Sequence, residues 1–83
     1  MNKVLVEVYV PVANIKYDAY IPLESKIGEI AKLLANAMSD LSNHKYMPGQ
    51  IITMCNYTNG KEYDKNLRCF ETDIENGSQI MIL

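Results

Sequence analysis

Residues 3 to 10, KVLVEVYV, alternate without interruption, placing Val4, Val6, Val8 and Val10 on one face and Leu5, Glu7 and Tyr9 on the other. A period of two built on β-branched residues is the signature of a strand, here with its valine face inward. Such a strand needs both a neighbour to pair with and a layer to cover its apolar face. The neighbour follows at once. Pro11 and Asn14 mark a break, and a second alternating run sets Ile15, Tyr17, Ala19 and Ile21 against Lys16, Asp18 and Tyr20. Two adjacent alternating runs with a short connection predict a hairpin.

The covering layer comes next in the chain. Pro22 lacks the donor that a ladder needs and is expected to end the second strand, with Ser25 placed to cap a helix. Ile27, Ile30, Ala31, Leu34, Ala37, Met38 and Leu41 then recur at steps of three and four, opposite Lys26, Glu29, Lys32, Asn36, Ser39 and Asp40. That spacing predicts one amphipathic helix of about four turns. Gly28 is discordant in its first turn, where glycine costs about 1 kcal/mol relative to alanine. Close approach of a partner and close approach of a neighbouring strand both account for it.

SNHKYMPGQ, residues 42–50, reads as a loop punctuated by Pro48-Gly49. A third strand is expected from about Ile51 to Tyr57, leaving open whether Ile51/Thr53/Cys55 or Ile52/Met54 faces the helix. Asn59-Gly60 supplies a tight hairpin turn before a short strand at Lys61 to Tyr63. The stretch DKNLRCFETDI carries Leu67, Phe70 and Ile74 as apolar anchors and predicts an irregular or single-turn segment under the sheet. A turn at Asn76-Gly77 precedes the last strand, Gln79 to Leu83. Strands followed by one crossover helix and more strands define an α+β chain with a mixed sheet.

Composition narrows the function classes. The 83 residues are 48% hydrophobic and 22% charged, which is enough for one domain spanning 1–83 with its own core. No apolar run is long enough to cross a membrane, and Glu7 interrupts the only stretch resembling a signal-peptide core. Formal charge is −2, with lysines and Arg68 dispersed, so no basic stripe for nucleic acid exists. Glu62, Asp64, Glu71, Asp73 and Glu75 read as a solvated face, with docking of a basic partner the sharper alternative.

Chemistry-bearing residues are few. Cys55 and Cys69 stand fourteen positions apart with no CxxC and read as reduced, buried thiols. Cys69 beside Arg68 has, as its functional alternative, a thiol made more acidic by the neighbouring charge. The sole histidine, His44, follows Asp40 by four residues without a nucleophile or an orienting group nearby. Asn56-Tyr57-Thr58 fits a glycosylation sequon but has no secretory context. Phosphate-binding glycine loops, HExxH and carboxylate sets with metal spacing are absent from the sequence. The expectation is a protein without enzymatic activity, cofactor or metal.

The order and spacing of these elements carry a resemblance. The valine-rich first hairpin, IPLESKIGEI at the start of a single helix, the Asn-Gly turn in YTNGKEY and the ending NLRCFETDIENGSQIMIL together resemble ubiquitin over almost all of the chain. Among ubiquitin-like proteins the chain is most similar to the YukD/EsaB family of Gram-positive bacteria, whose members end likewise in an apolar strand. The resemblance implies a ubiquitin-like β-grasp with the last strand parallel to the first in mid-sheet, so that Ile80 and Ile82 enter the core. It also implies a cytoplasmic accessory or regulator of type VII secretion that docks on a membrane component of that machinery, with no nucleic-acid partner and no insertion into the bilayer. Ubiquitin and the sulfur carriers use a flexible Gly-Gly tail; the sequence ends at Leu83 without one, and the expectation is against conjugation or sulfur transfer.

If the valines face the helix, alternation sends Leu5, Tyr9, Met81 and Leu83 to the outer face of two adjacent strands. Ubiquitin uses an apolar patch on that face, so these four residues are the candidate protein-interaction site. Scattered surface hydrophobes and a homodimer burying the Leu5/Met81 face are the competing readings.

Overall fold

A computed structural model describes residues 2–41 and 51–83. Residues 42–50, where the sequence predicts a loop and which include His44, Pro48 and Gly49, lie outside the described residues, as does Met1. The chain forms strands β1 (Lys3–Val10) and β2 (Ile15–Pro22), helix α1 (Ile27–Leu41), and strands β3 (Met54–Asn56) and β4 (Gln79–Ile82). Single 3-10 turns occupy Pro11–Ala13 and Cys69–Glu71.

The sheet order is β2-β1-β4-β3. β1 pairs antiparallel with β2 along its whole length, from Lys3 opposite Pro22 to Val10 opposite Ile15. Asn14 makes the reversal between them by taking a left-handed conformation, φ 52°, which asparagine tolerates better than most residues. On its other side β1 is parallel to β4, with Val8 opposite Ile80, and β4 is antiparallel to β3. The final strand therefore has partners on both sides.

One face of this sheet is apolar and α1 covers it. Val4, Val6, Val8, Val10, Ile21, Met54, Ile80 and Ile82 meet Ile27, Ile30, Ala31, Leu34, Ala35 and Met38, all buried. The helix face is rotated from the sequence reading: Ala35 and Ser39 turn inward, while Ala37 and Leu41 are exposed. Residues 27, 31, 35 and 39 recur every four positions, and a helix advancing 100° per residue sets that row apart from the row 33, 37 and 41.

Ser25 does not cap the helix. The Lys26 carbonyl accepts the first helical bond, from Ile30 N–H at 3.0 Å, and the exposed first-turn donors are met by backbone: Ile27 N–H donates to Leu67 O at 2.9 Å and Gly28 N–H to Lys65 O at 3.2 Å. Gly28 therefore lies against this segment. A Cβ there would lie 3.4 Å from Lys65 O and 3.5 Å from Lys65 Cβ, so the neighbour that comes close is the segment before the 3-10 turn, neither a strand nor a partner.

The second half of the chain is less regular than its sequence suggests. The third strand contracts from Ile51–Tyr57 to Met54–Asn56, and Ile51 is exposed. The strand expected at Lys61–Tyr63 is reduced to one bridge between Cys55 and Glu62, flanked by Asn56 N–H to Lys61 O and Tyr63 N–H to Met54 O, both 2.9 Å. Only Gly60, φ 73°, has a positive angle in the intervening turn; the Asn56 side chain organises it by accepting from Thr58 N–H at 2.8 Å. Phe70 is not an anchor. Cys69 N–H bonds to Ser25 O and Phe70 N–H to Leu23 O, a two-bond seam that turns Cys69 inward and leaves Phe70 exposed.

Two expectations follow. Replacing Ile80 by alanine removes a fully buried side chain from a strand packed on both edges and is expected to cost about 3–5 kcal/mol, read from the denaturant midpoint at unchanged slope. Gly28→Ala places its methyl at ordinary contact distance and is expected to be neutral or to raise stability by up to about 1 kcal/mol. Gly28→Val is expected to lower stability by about 2 kcal/mol by forcing the 65–67 segment away.

Candidate interaction surface

With the valines inward, the opposite face of the sheet is free of any covering element among the described residues. The ladder registers align it into rows. Lys16, Tyr9, Met81 and Cys55 lie side by side across all four strands, and Cys55 bridges onward to Glu62. Asp18, Glu7 and Gln79 form the next row, reaching Tyr57 through its N–H bond to Gln79 O. Tyr20 and Leu5 form the third. Beyond Met81, Leu83 exchanges backbone bonds with Thr53.

Tyr9, Tyr57 and Lys16 form the most organised part of this face. The tyrosine rings meet edge to face, 5.4 Å between centroids at 86°, and Lys16 Nζ lies 5.6 Å from the Tyr9 ring and 5.9 Å from the Tyr57 ring. Quadrupole geometry favours both contacts. Met81 and Tyr9 are half-buried, Tyr57 is exposed, and Cys55 is only 4% exposed although it sits on the outer side. Met54 and Ile52 take the inner side, which resolves the facing of the third strand.

The four residues proposed from sequence all lie on this face, yet they do not form one patch. Gln79 Nε2 donates to Glu7 Oε1 at 3.3 Å, and this polar row separates Leu5 and its neighbour Tyr20 from Tyr9 and Met81. Leu83 continues the Met81 side and is exposed. Sequence reasoning missed Tyr57, Lys16 and Cys55. Tyr57 shares parity with Cys55, so the signal was present once the facing of strand three was known.

Both thiols are free and buried, as expected from their spacing. Burial pushes the Cys55 thiol up, and the Glu62 carboxylate adds to the shift. Burial also pushes Cys69 up, so Arg68 does not make it acidic; the Arg68 guanidinium is turned to the Glu24 carbonyl at 2.6 Å. Glu62, Asp64, Glu71, Asp73 and Glu75 are exposed. Among the described residues no group of three or more His, Cys, Asp or Glu side chains is placed to hold a metal, and His44 lies outside them.

The Tyr63 hydroxyl is strongly shifted. Its side chain is buried beside Asn56, Thr72 and Asp73 at a shallow groove, and its hydroxyl is pushed up to about 12 by burial and by hydrogen bonding to the Asp73 carboxylate, against a smaller opposing effect of Asn56.

Against known structures the chain has the ubiquitin-like β-grasp fold. It is similar to the ubiquitin-like domain of EccD5 from Mycobacterium xenopi, with TM-score 0.82 and 11% identity over 100% of this chain and 94% of that one. The ubiquitin-like domain of the Mycobacterium tuberculosis type VII secretion protein EccD1 gives 0.79 and 8% over 100% and 99%. A chain of a toluene 4-monooxygenase HD complex with the inhibitor 4-bromobenzoate gives 0.82 and 10% over 98% and 96%. A chain of the MycP5-free ESX-5 inner membrane complex gives 0.80 and 15%; this chain spans 21% of its length. No family model matches the sequence, and no curated protein matches it. Among the described residues no helix is long and apolar enough to cross a membrane.

The Tyr63 environment yields a pH dependence. An acid whose folded pKa is raised, here from 10 to about 12, binds its proton more tightly when folded, so its contribution to stability is complete below pH 10 and lost as pH rises toward 12. Ultraviolet titration is expected to show a late step near pH 12 from Tyr63, and Tyr63→Phe is expected to remove both that step and the associated fall in stability above pH 10.

Proposed function

We propose that this chain is a non-catalytic ubiquitin-like interaction module that serves as an accessory or regulatory component of a bacterial type VII secretion system, in the manner of YukD/EsaB proteins. In this reading it is cytoplasmic, forms one domain over residues 1–83, and is recruited to the inner face of the membrane by a protein component of the machinery. The observation that carries the reading is the outer sheet face, where Lys16 lies over the Tyr9 and Tyr57 rings and Met81 stands beside Tyr9, with no covering element among the described residues. Tyrosine and methionine are enriched at protein interfaces because they bring large contact area with little loss of conformational freedom. Leu83 extends the contact and Leu5 with Tyr20 forms a second, smaller one across the Glu7–Gln79 row. The likeness to EccD ubiquitin-like domains supports the secretion context.

The test is a crosslinked pull-down from host membranes and cytosol with wild type and with Tyr57→Ala combined with Met81→Lys, after circular dichroism establishes that the variant is folded. Wild type is expected to recover secretion subunits and the variant at least about tenfold less, the effect of losing about 1.4 kcal/mol or more of contact. Equal recovery by both moves the site elsewhere. Recovery of oxygenase subunits instead replaces the secretion reading with membership of an oxygenase assembly, the setting of another similarly folded chain.

A further inference from the structure

One side of the molecule carries two features that docking on the outer face leaves unused. β2 is an edge strand of eight residues, paired only with β1 among the described residues and bounded by Asn14 and Pro22. Above it, α1 presents an exposed apolar row: Leu33 is 61% exposed, Leu41 62%, and Ala37 lies between them. The opposite flank of the helix, Gly28 and Lys32, faces Ile52 and Lys65. The Tyr17 hydroxyl of β2 donates to Leu34 O at 2.8 Å, so the exposed row runs along the β2 side.

A strand added to this edge would place alternate side chains beside the helix row and the others beside Lys16 and Asp18 on the outer face. It must therefore be apolar on one side and charge-complementary on the other. β2 has that pattern itself, with half-buried Ile15, Tyr17 and Ala19 on its inner side and exposed Lys16 and Asp18 on its outer side.

We propose that two copies of this chain pair antiparallel through β2, joining two four-stranded sheets into one. Under two-fold symmetry a residue i facing j requires j to face i. With Tyr17 on the axis, Lys16 of each copy faces Asp18 of the other, and Ile15 faces Ala19. Moving the register two residues one way sets Lys16 against Lys16, and two the other way sets Asp18 against Asp18, both unfavourable. A one-residue slip opposes inner and outer faces.

The monomer supplies a second reason for this register. Asp18 stands directly opposite Glu7 on β1, a like-charge pair, while its strand-mate Lys16 leans over the tyrosine rings. Lys16 of the second copy brings a cation to Asp18. The pairing leaves the Tyr9/Tyr57/Met81 cluster uncovered, and it holds whether or not that cluster docks on a secretion component.

The test is sedimentation equilibrium across a micromolar-to-millimolar series at low and high salt. Wild type is expected to move from monomer to dimer mass with concentration, less so at high salt. Lys16→Asp and Asp18→Lys alone are each expected to stay monomeric, and an equimolar mixture of the two to dimerise, because every ion pair is then restored between unlike chains. Both positions are exposed, so the fold is expected to tolerate the changes. As an independent register check, Lys16→Cys and Asp18→Cys chains are expected to form a disulfide only when mixed. Wild type that remains monomeric throughout overturns the proposal, as does dimerisation of both single variants to the wild-type extent, or capture of the edge by another peptide with no self-pairing.

Discussion

The structure depends on the parallel pairing of β4 with β1. That pairing joins residues more than seventy positions apart: Leu5 N–H donates to Asn76 Oδ1 at 2.8 Å, Gly77 N–H to Leu5 O at 2.8 Å, and Glu7 N–H to Ser78 O at 2.9 Å. Gly77, φ 89°, is where the chain bends into this contact, so the turn at Asn76-Gly77 opens a parallel ladder. Closing so long a loop is entropically costly, and the buried Ile80 and Ile82 against Val6 and Val8 offset it. Among the described strands β3 (Met54–Asn56) pairs with β4, its other side carrying the single Cys55–Glu62 bridge, so it joins the sheet through β4.

A second seam fixes the helix. The segment from Lys65 to Phe70 donates to and accepts from residues 23–28 through Ile27, Gly28, Cys69 and Phe70, and Arg68 adds its bond to the Glu24 carbonyl. Backbone groups at the start of α1 that a side-chain cap would ordinarily satisfy are met by a distant loop. At Gly28 the two backbones come close enough that a Cβ would just reach contact with Lys65. The helix is thereby fixed against the sheet, which leaves one side of the sheet dry and the other free to present Tyr9, Tyr57 and Met81.

The legibility of the chain follows the range of the forces involved. β1, β2 and α1 are set by periodic patterns within a few residues of one another, and their bounds agree closely with the sequence reading. The second half has no such pattern: Met54, Cys55 and Tyr63 are all buried, but on different sides of the sheet or in the loop that follows it, so alternation does not reveal which side is which. The exposed Phe70 shows the same limit. Its apolar character suggested burial, but the backbone seam decided that Cys69 would be the inward residue.

By itself, the sequence determined the α+β class and the face on which Leu5, Tyr9, Met81 and Leu83 would lie, because a period of two leaves a strand only two sides; the central place of the last strand was implied by the resemblance to ubiquitin. Tertiary structure alone decided which of those residues touch. The registers of β4 against β1 and β3 put Met81 between Tyr9 and Cys55, brought Tyr57 within 5.4 Å of Tyr9, and inserted the Glu7–Gln79 row before Leu5. Register between distant strands is the sum of packing over the whole core, and no local stretch of residues contains it.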